Sequence, residues 1–98
     1  PQPPSHRERD DSYAKVIAQL GPRWRVIICK DGIQWILQQR SVEPPNTGTW
    51  SGKSYSTTLR GLVAACSDRE LLLGPSEVQK LDALPTDVRT FIKERSRS

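Results

Sequence analysis

Two runs rich in β-branched and aromatic residues, Trp24-Arg25-Val26-Ile27-Ile28-Cys29 and Ile33-Gln34-Trp35-Ile36-Leu37-Gln38, flank Lys30-Asp31-Gly32. Such side chains suit a pleated, half-buried surface. Asp-Gly is a residue choice of the type I′ turn, whose two central positions need positive φ. The spacing predicts a β-hairpin over residues 24–39, turned at Asp31-Gly32, with Lys30 opposite Ile33, Ile28 opposite Trp35, Val26 opposite Leu37 and Trp24 opposite Gln39. Side chains alternate between the faces of a strand, so one face carries Trp24, Val26, Ile28, Trp35 and Leu37 and reads as core. The other carries Arg23, Arg25, Ile27, Cys29, Gln34, Ile36, Gln38 and Arg40, a short apolar patch ringed by arginine and glutamine.

Around the hairpin the period changes. Tyr13, Val16, Ile17 and Leu20 fall at i, i+3, i+4 and i+7, which predicts a short N-terminal helix capped by Asp11 or Ser12 and stopped at Gly21-Pro22. Residues 41–49, with Pro44-Pro45 and Gly48, read as a loop, and residues 50–55 as a third antiparallel strand. Ser56 or Thr57 would cap a helix with Leu59, Leu62, Val63 and Cys66 on one stripe, able to cover the apolar hairpin face. Arg69 to Leu73 fits either a continued helix or an extended stretch. Ser76 and Gln79 have capping-box spacing for a helix reaching Leu84, and a last helix would follow Pro85-Thr86, with Val88, Phe91 and Ile92 apolar.

The expected fold class is α+β: a three-stranded antiparallel sheet packed on a helix, with flanking N- and C-terminal helices. Residues 1–11 contain no apolar residue but proline, and such a stretch does not recover its ordering entropy by burial. They read as a disordered tail, 12–94 as one domain, and 95–98 as a second tail. The mean hydropathy of −0.61 and net charge of +4 are compatible with an acidic partner, but the charge is mild enough to be ordinary. No apolar run approaches the ~18 residues of a membrane span, and none reads as a signal-peptide core. A cytoplasmic protein is therefore expected, with Cys29 and Cys66 reduced and buried.

The chemistry of known sites finds little purchase. Gly48-Thr49-Trp50-Ser51-Gly52-Lys53-Ser54 looks like a phosphate-binding P-loop, but that loop needs four residues between its glycines, so its first glycine would fall at Thr47. A turn leading into a strand is the better reading. Zinc sites draw on closely spaced Cys and His, and the chain has one histidine, His6, and no Cys-x-x-Cys pair. Cys29 beside Lys30 lacks a histidine base in the folded part. The expectation is no enzyme, no cofactor and no small-molecule substrate.

The Arg/Gln hairpin face then holds the candidate sites. Arg25, Ile27, Gln34, Ile36, Gln38 and Arg40 would meet a protein partner or a second copy, unless the chain's own helices cover them. Alternatively Arg23, Arg25, Gln34, Gln38, Arg40 and Lys53 would contact nucleic acid, because arginine and glutamine read base edges and a β-ribbon fits the major groove. The leading reading is a small non-enzymatic binding or adaptor protein acting through its sheet, with the nucleic-acid module as alternative.

The string from Arg23 to Arg40, followed by Trp50 and residues 54–59, resembles small bacterial proteins of phage-like or mobile-element character and unknown function. The order of three strands and a helix is similar in layout to the arm-binding domain of tyrosine recombinases, which implies DNA binding through the sheet. None of that family's DNA-contacting residues can be matched here position by position.

Overall fold

The computed structural model describes residues 7–10, 13–42, 48–69, 71 and 73–95. Within them the chain is α+β, with an antiparallel sheet and three helices. The strands are β1 (Val16–Gln19), β2 (Trp24–Ile28), β3 (Trp35–Arg40) and β4 (Trp50–Ser56), in the order β1-β2-β3-β4. The sheet thus has four strands rather than three. The helices α1 (Leu59–Asp68), α2 (Pro75–Asp82) and α3 (Val88–Arg95) follow it in sequence, and none is long and apolar enough to cross a membrane.

The hairpin register is the expected one: Trp24 pairs with Gln39, Val26 with Leu37 and Ile28 with Trp35. Its turn differs. Gly32 N donates to Cys29 O (2.9 Å) and Cys29 N to Gln34 O (3.0 Å), so residues 30–33 form a four-residue loop that opens with a β-turn having Lys30-Asp31 at its centre. Gly32 supplies the positive φ of 72° that an L side chain rarely adopts. Lengthening the loop by one residue on each side leaves the register unchanged, but places Lys30 and Ile33 in the loop instead of the ladder.

The expected N-terminal helix is a strand. Residues 25–28 of β2 are buried, and their backbone groups facing away from β3 need partners. β1 supplies them, with Val16 opposite Ile27, Ala18 opposite Val26 and a bulge between. The bulge sends Val16 to one face and both Ile17 and Ala18 to the other. Apolar residues at helical spacing therefore serve two faces of a bulged strand, which suits the β-branched pair Val16-Ile17.

The main core lies between one sheet face and the helices. Ala18, Leu20, Val26, Ile28, Trp35 and Leu37 meet Leu62, Ala65, Cys66, Leu81, Leu84 and Val88. Trp24 packs at its margin, and Phe91 meets Trp35 edge-on at 6.1 Å between ring centroids. The α1 cap is Thr58, whose Oγ1 accepts from Gly61 N at 3.1 Å, rather than Ser56 or Thr57. The buried stripe is correspondingly Leu62, Ala65 and Cys66, with Val63 exposed. α1 ends at Asp68, and of the ambiguous stretch Leu71 and Leu73 pack on the core beyond it, while residues 70 and 72 lie outside the described residues. The capping box at Ser76 is not formed. α2 starts on Gly74 with Pro75 in its first turn, where the missing N–H costs nothing, and it stops at Asp82, two residues short of Leu84. Asp87 Oδ1 accepts from Thr90 N (2.7 Å) at the head of α3. Leu59 N donates to Thr86 O and Val88 N to Thr57 O, tying the starts of α1 and α3 together.

Both sheet edges are partly occupied. β1 has only four residues and carries the bulge. β4 bulges at Lys53, whose carbonyl accepts from Arg69 Nη2 (2.8 Å), and Trp50 N donates to Arg9 O (3.0 Å). Of the expected tails, residues 1–6, 11 and 96–98 lie outside the described residues, as do 43–47 of the predicted loop. Residues 7–10 form a turn lying on the sheet, and Arg95 closes α3.

Candidate binding site

The Arg/Gln face is not a solvated surface. Ile27, Cys29 and Ile36 form a second buried cluster with Tyr13, and Val16 packs against it. Arg25 (1% exposed), Gln38 (2%) and Arg40 (5%) are as buried as the core. A buried guanidinium is costly unless its donors are satisfied. Here the acceptors are main-chain carbonyls brought by residues 7–10. Arg25 Nη2 donates to Glu8 O (2.8 Å) and Asp10 O (2.9 Å), while Arg25 Nε donates to Gln38 Oε1 (2.7 Å). Gln38 Nε2 reaches the same Glu8 carbonyl at 2.9 Å, and Trp50 N takes Arg9 O.

The other contacts fix the segment's ends. Arg25 Cζ stacks 4.3 Å above the Trp50 ring centroid, a cation–π contact strengthened by exclusion of water. Lys30 N donates to Glu8 Oε2 (2.7 Å) and Lys15 Nζ to Lys30 O (3.1 Å), so the hairpin loop is gripped from the N-terminal side. Tyr13 OH donates to Ile28 O at 2.8 Å. Burial, with Glu8 nearby, pushes the Tyr13 phenol up to about 12.

The structure brings together Arg25, Ile27, Ile36, Gln38 and Arg40 from the predicted partner surface, with Gln34 half-buried beside them. Arg40 Nη1 is turned toward Val42 O (2.9 Å). Of the nucleic-acid set, Arg23 donates to Arg40 O and Ser41 O. Lys53 is exposed in β4, apart from the buried trio. Sequence reasoning missed Glu8, Tyr13 and Trp50. The readable signal was a lone tyrosine just beyond a polar stretch, on the side of β2 that needed a neighbour.

Gly52-Lys53-Ser54 lies inside β4, not in a loop heading a helix. A Cβ at Gly52 would stand 2.8 Å from Tyr55 Cζ and 3.2 Å from Ile36 Cγ2, so glycine there makes room for the Tyr55 ring, which remains 60% exposed. Among the described residues no group of three or more His, Cys, Asp or Glu is placed to hold a metal. Both cysteines are buried and unpaired, and burial pushes the Cys66 thiol up, away from the reactive thiolate.

A second concavity, of about 600 Å³, opens at the hairpin-loop end between Ile33, Thr57 and α3. That size falls in the range of ligand pockets. Comparisons with protein-family models, curated proteins and solved structures return no match to this chain.

Proposed function

We propose that the chain is a non-enzymatic protein-binding module that holds a turn-forming segment across the second face of its sheet, with residues 7–10 filling the groove in cis. One observation carries the reading: three successive main-chain carbonyls, of Glu8, Arg9 and Asp10, are each met by a donor of the sheet. Donors aimed at carbonyls accept any main chain that turns in the same way, and the side-chain preference rests on the carboxylate held by Lys30 N. Recognition is thus mainly of the segment's main chain, by the side chains of Arg25 and Gln38 and the Trp50 amide. A tethered occupant competes at an effective concentration in the millimolar range, so a partner segment must bind better than residues 7–10 to displace them.

Nuclear magnetic resonance on the full chain tests the reading. A spin-labelled peptide of residues 7–13, supplied in excess, should broaden the Gln38 side-chain amide and the Trp50 indole, more strongly in Glu8→Gln than in the parent chain. The Trp50 and Lys30 amides, whose acceptors lie on the segment, should exchange at least about tenfold faster than the amides of β3 through local opening. Absence of broadening in both proteins, with those two amides exchanging only on global unfolding, would make residues 7–10 a fixed part of the fold. The nucleic-acid reading requires Arg25, Gln38 and Arg40 to leave these partners, and no other observation favours it.

A further inference from the structure

Trp35 is wholly enclosed, 0% exposed, yet its indole Nε1–H meets no hydrogen-bond acceptor among the described residues. Buried donors are seldom left in this state, because an unmet one forfeits its bond to water and gains none in return. Phe91 stands edge-on to the ring at 6.1 Å between centroids, an aromatic contact that offers the N–H a second-order partner at most. The unmet donor also lies beside open space. Two concavities flank α3 at the hairpin-loop end, of about 600 Å³ and about 230 Å³, and Ile92 lines both. Trp35 sits between them on the sheet. Its ladder partner on one side, Ile28, lines the smaller; its partner on the other, Ser56, leads straight into Thr57 and Thr58 of the larger. The indole faces α3 together with Ile28. Ile92, half-buried, follows Phe91 directly in the helix, and turning its side chain about one bond takes it from one staggered well to another.

We infer that turning Ile92 aside joins the two concavities over the Trp35 indole and makes a pocket for a small, neutral, mainly apolar molecule with one acceptor oxygen, such as a ketone or an ester. Ile17, Ile28, Val88 and Ile92 give the pocket its apolar walls, and the indole N–H gives it a polar handle, the usual make-up of a small-molecule site. The acceptor is neutral for a physical reason. A carboxylate brought to the same donor would bury its charge beside Ile28 and Phe91, losing more hydration than one bond to a neutral donor returns. The inference rests on the helix-covered face of the sheet and is independent of the groove reading.

Nuclear magnetic resonance on the full chain, titrated with acetophenone, tests it. The Trp35 indole N–H signal, assigned through its contact with Phe91, should move downfield and saturate at millimolar acetophenone, in keeping with so small a ligand. α-Methylstyrene has the same shape with a methylene in place of the oxygen, and it should bind at least about tenfold more weakly. Ile92→Ala removes the side chain that has to turn aside, so acetophenone should bind at least about tenfold more tightly. Trp35→Phe should erase the difference between the two compounds; should that variant not fold, the two compounds on the parent chain and on Ile92→Ala decide. No saturable shift at the Trp35 indole, equal affinity for the two compounds, or no gain in Ile92→Ala would each overturn the proposal. So would a magnetisation transfer from water to the Trp35 N–H that persists at saturation, because the donor would then belong to a bound water. Binding in the groove is read at Gln38 and Trp50, so either proposal can fail without the other.

Discussion

The two faces of the sheet bury side chains equally well by different means. On one, Val26, Trp35 and Leu37 disappear under three helices in an apolar layer. On the other, Arg25 and Gln38 disappear under four residues that bring backbone carbonyls instead of side chains. The first face gains from removing apolar area from water, about 25 cal/mol per Å². The second gains little net from its hydrogen bonds but loses heavily if they are left unmade. An apolar layer confers stability, whereas a polar one confers selectivity for what lies on it.

Four substitutions sharpen this contrast, from the largest effect to the smallest. Ile36→Asp should abolish the folded state, because it buries a carboxylate in the cluster of Ile27, Cys29 and Tyr13, a loss on the order of 4–5 kcal/mol. A cooperative melt with native circular dichroism would show that the face opens to water. Leu37→Ala, one residue along and on the opposite face, should cost about 3 kcal/mol in urea denaturation as a core cavity. A cost near 1 kcal/mol would mean that the helices close over the gap.

Arg25→Met keeps the apolar stem but removes the donors to Glu8 O, Asp10 O and Gln38 Oε1. The expected loss is about 2 kcal/mol, with faster hydrogen exchange at Trp50 while β3 stays protected. Uniformly faster exchange would merge the two faces into one cooperative unit. Tyr13→Phe should cost about 1 kcal/mol for the bond to Ile28 O. The Tyr13 pKa of about 12 in the folded chain exceeds its ordinary 10.0, so the phenol's contribution is complete below pH 10.0 and is lost as pH rises through about 12. The stability gap between the parent and the Phe variant should therefore shrink across that window, as read from denaturation midpoints; a constant gap would detach the phenol from the alkaline loss.

The contrast also explains what the sequence revealed. Face alternation and Asp31-Gly32 sufficed for the hairpin register, because a two-residue and a four-residue loop give the same pairing. Tyr13, Val16, Ile17 and Leu20 misled because helical spacing and a bulged strand serving two faces produce the same string. What covers the Arg/Gln face escaped the sequence for another reason. Arg25 and Gln38 are satisfied by carbonyls of Glu8 and Asp10, and every residue type carries a carbonyl, so no side-chain pattern marks the partner. The patch at Ile27 and Ile36 was expected to be covered first of all by the chain's own helices. It is covered from within the chain, but by residues 7–10 and Tyr13 rather than a helix.

The bulge at Lys53 has a consequence for crowded conditions. A seven-residue outer strand is a template on which identical chains can stack into fibres. Here the extra residue breaks the straight row of amides, puts an ammonium in the middle of it, and hands its carbonyl to Arg69, while Arg9 closes the Trp50 end. A copy approaching this border meets a kinked backbone and a like charge, which disfavours edge-to-edge pairing through β4.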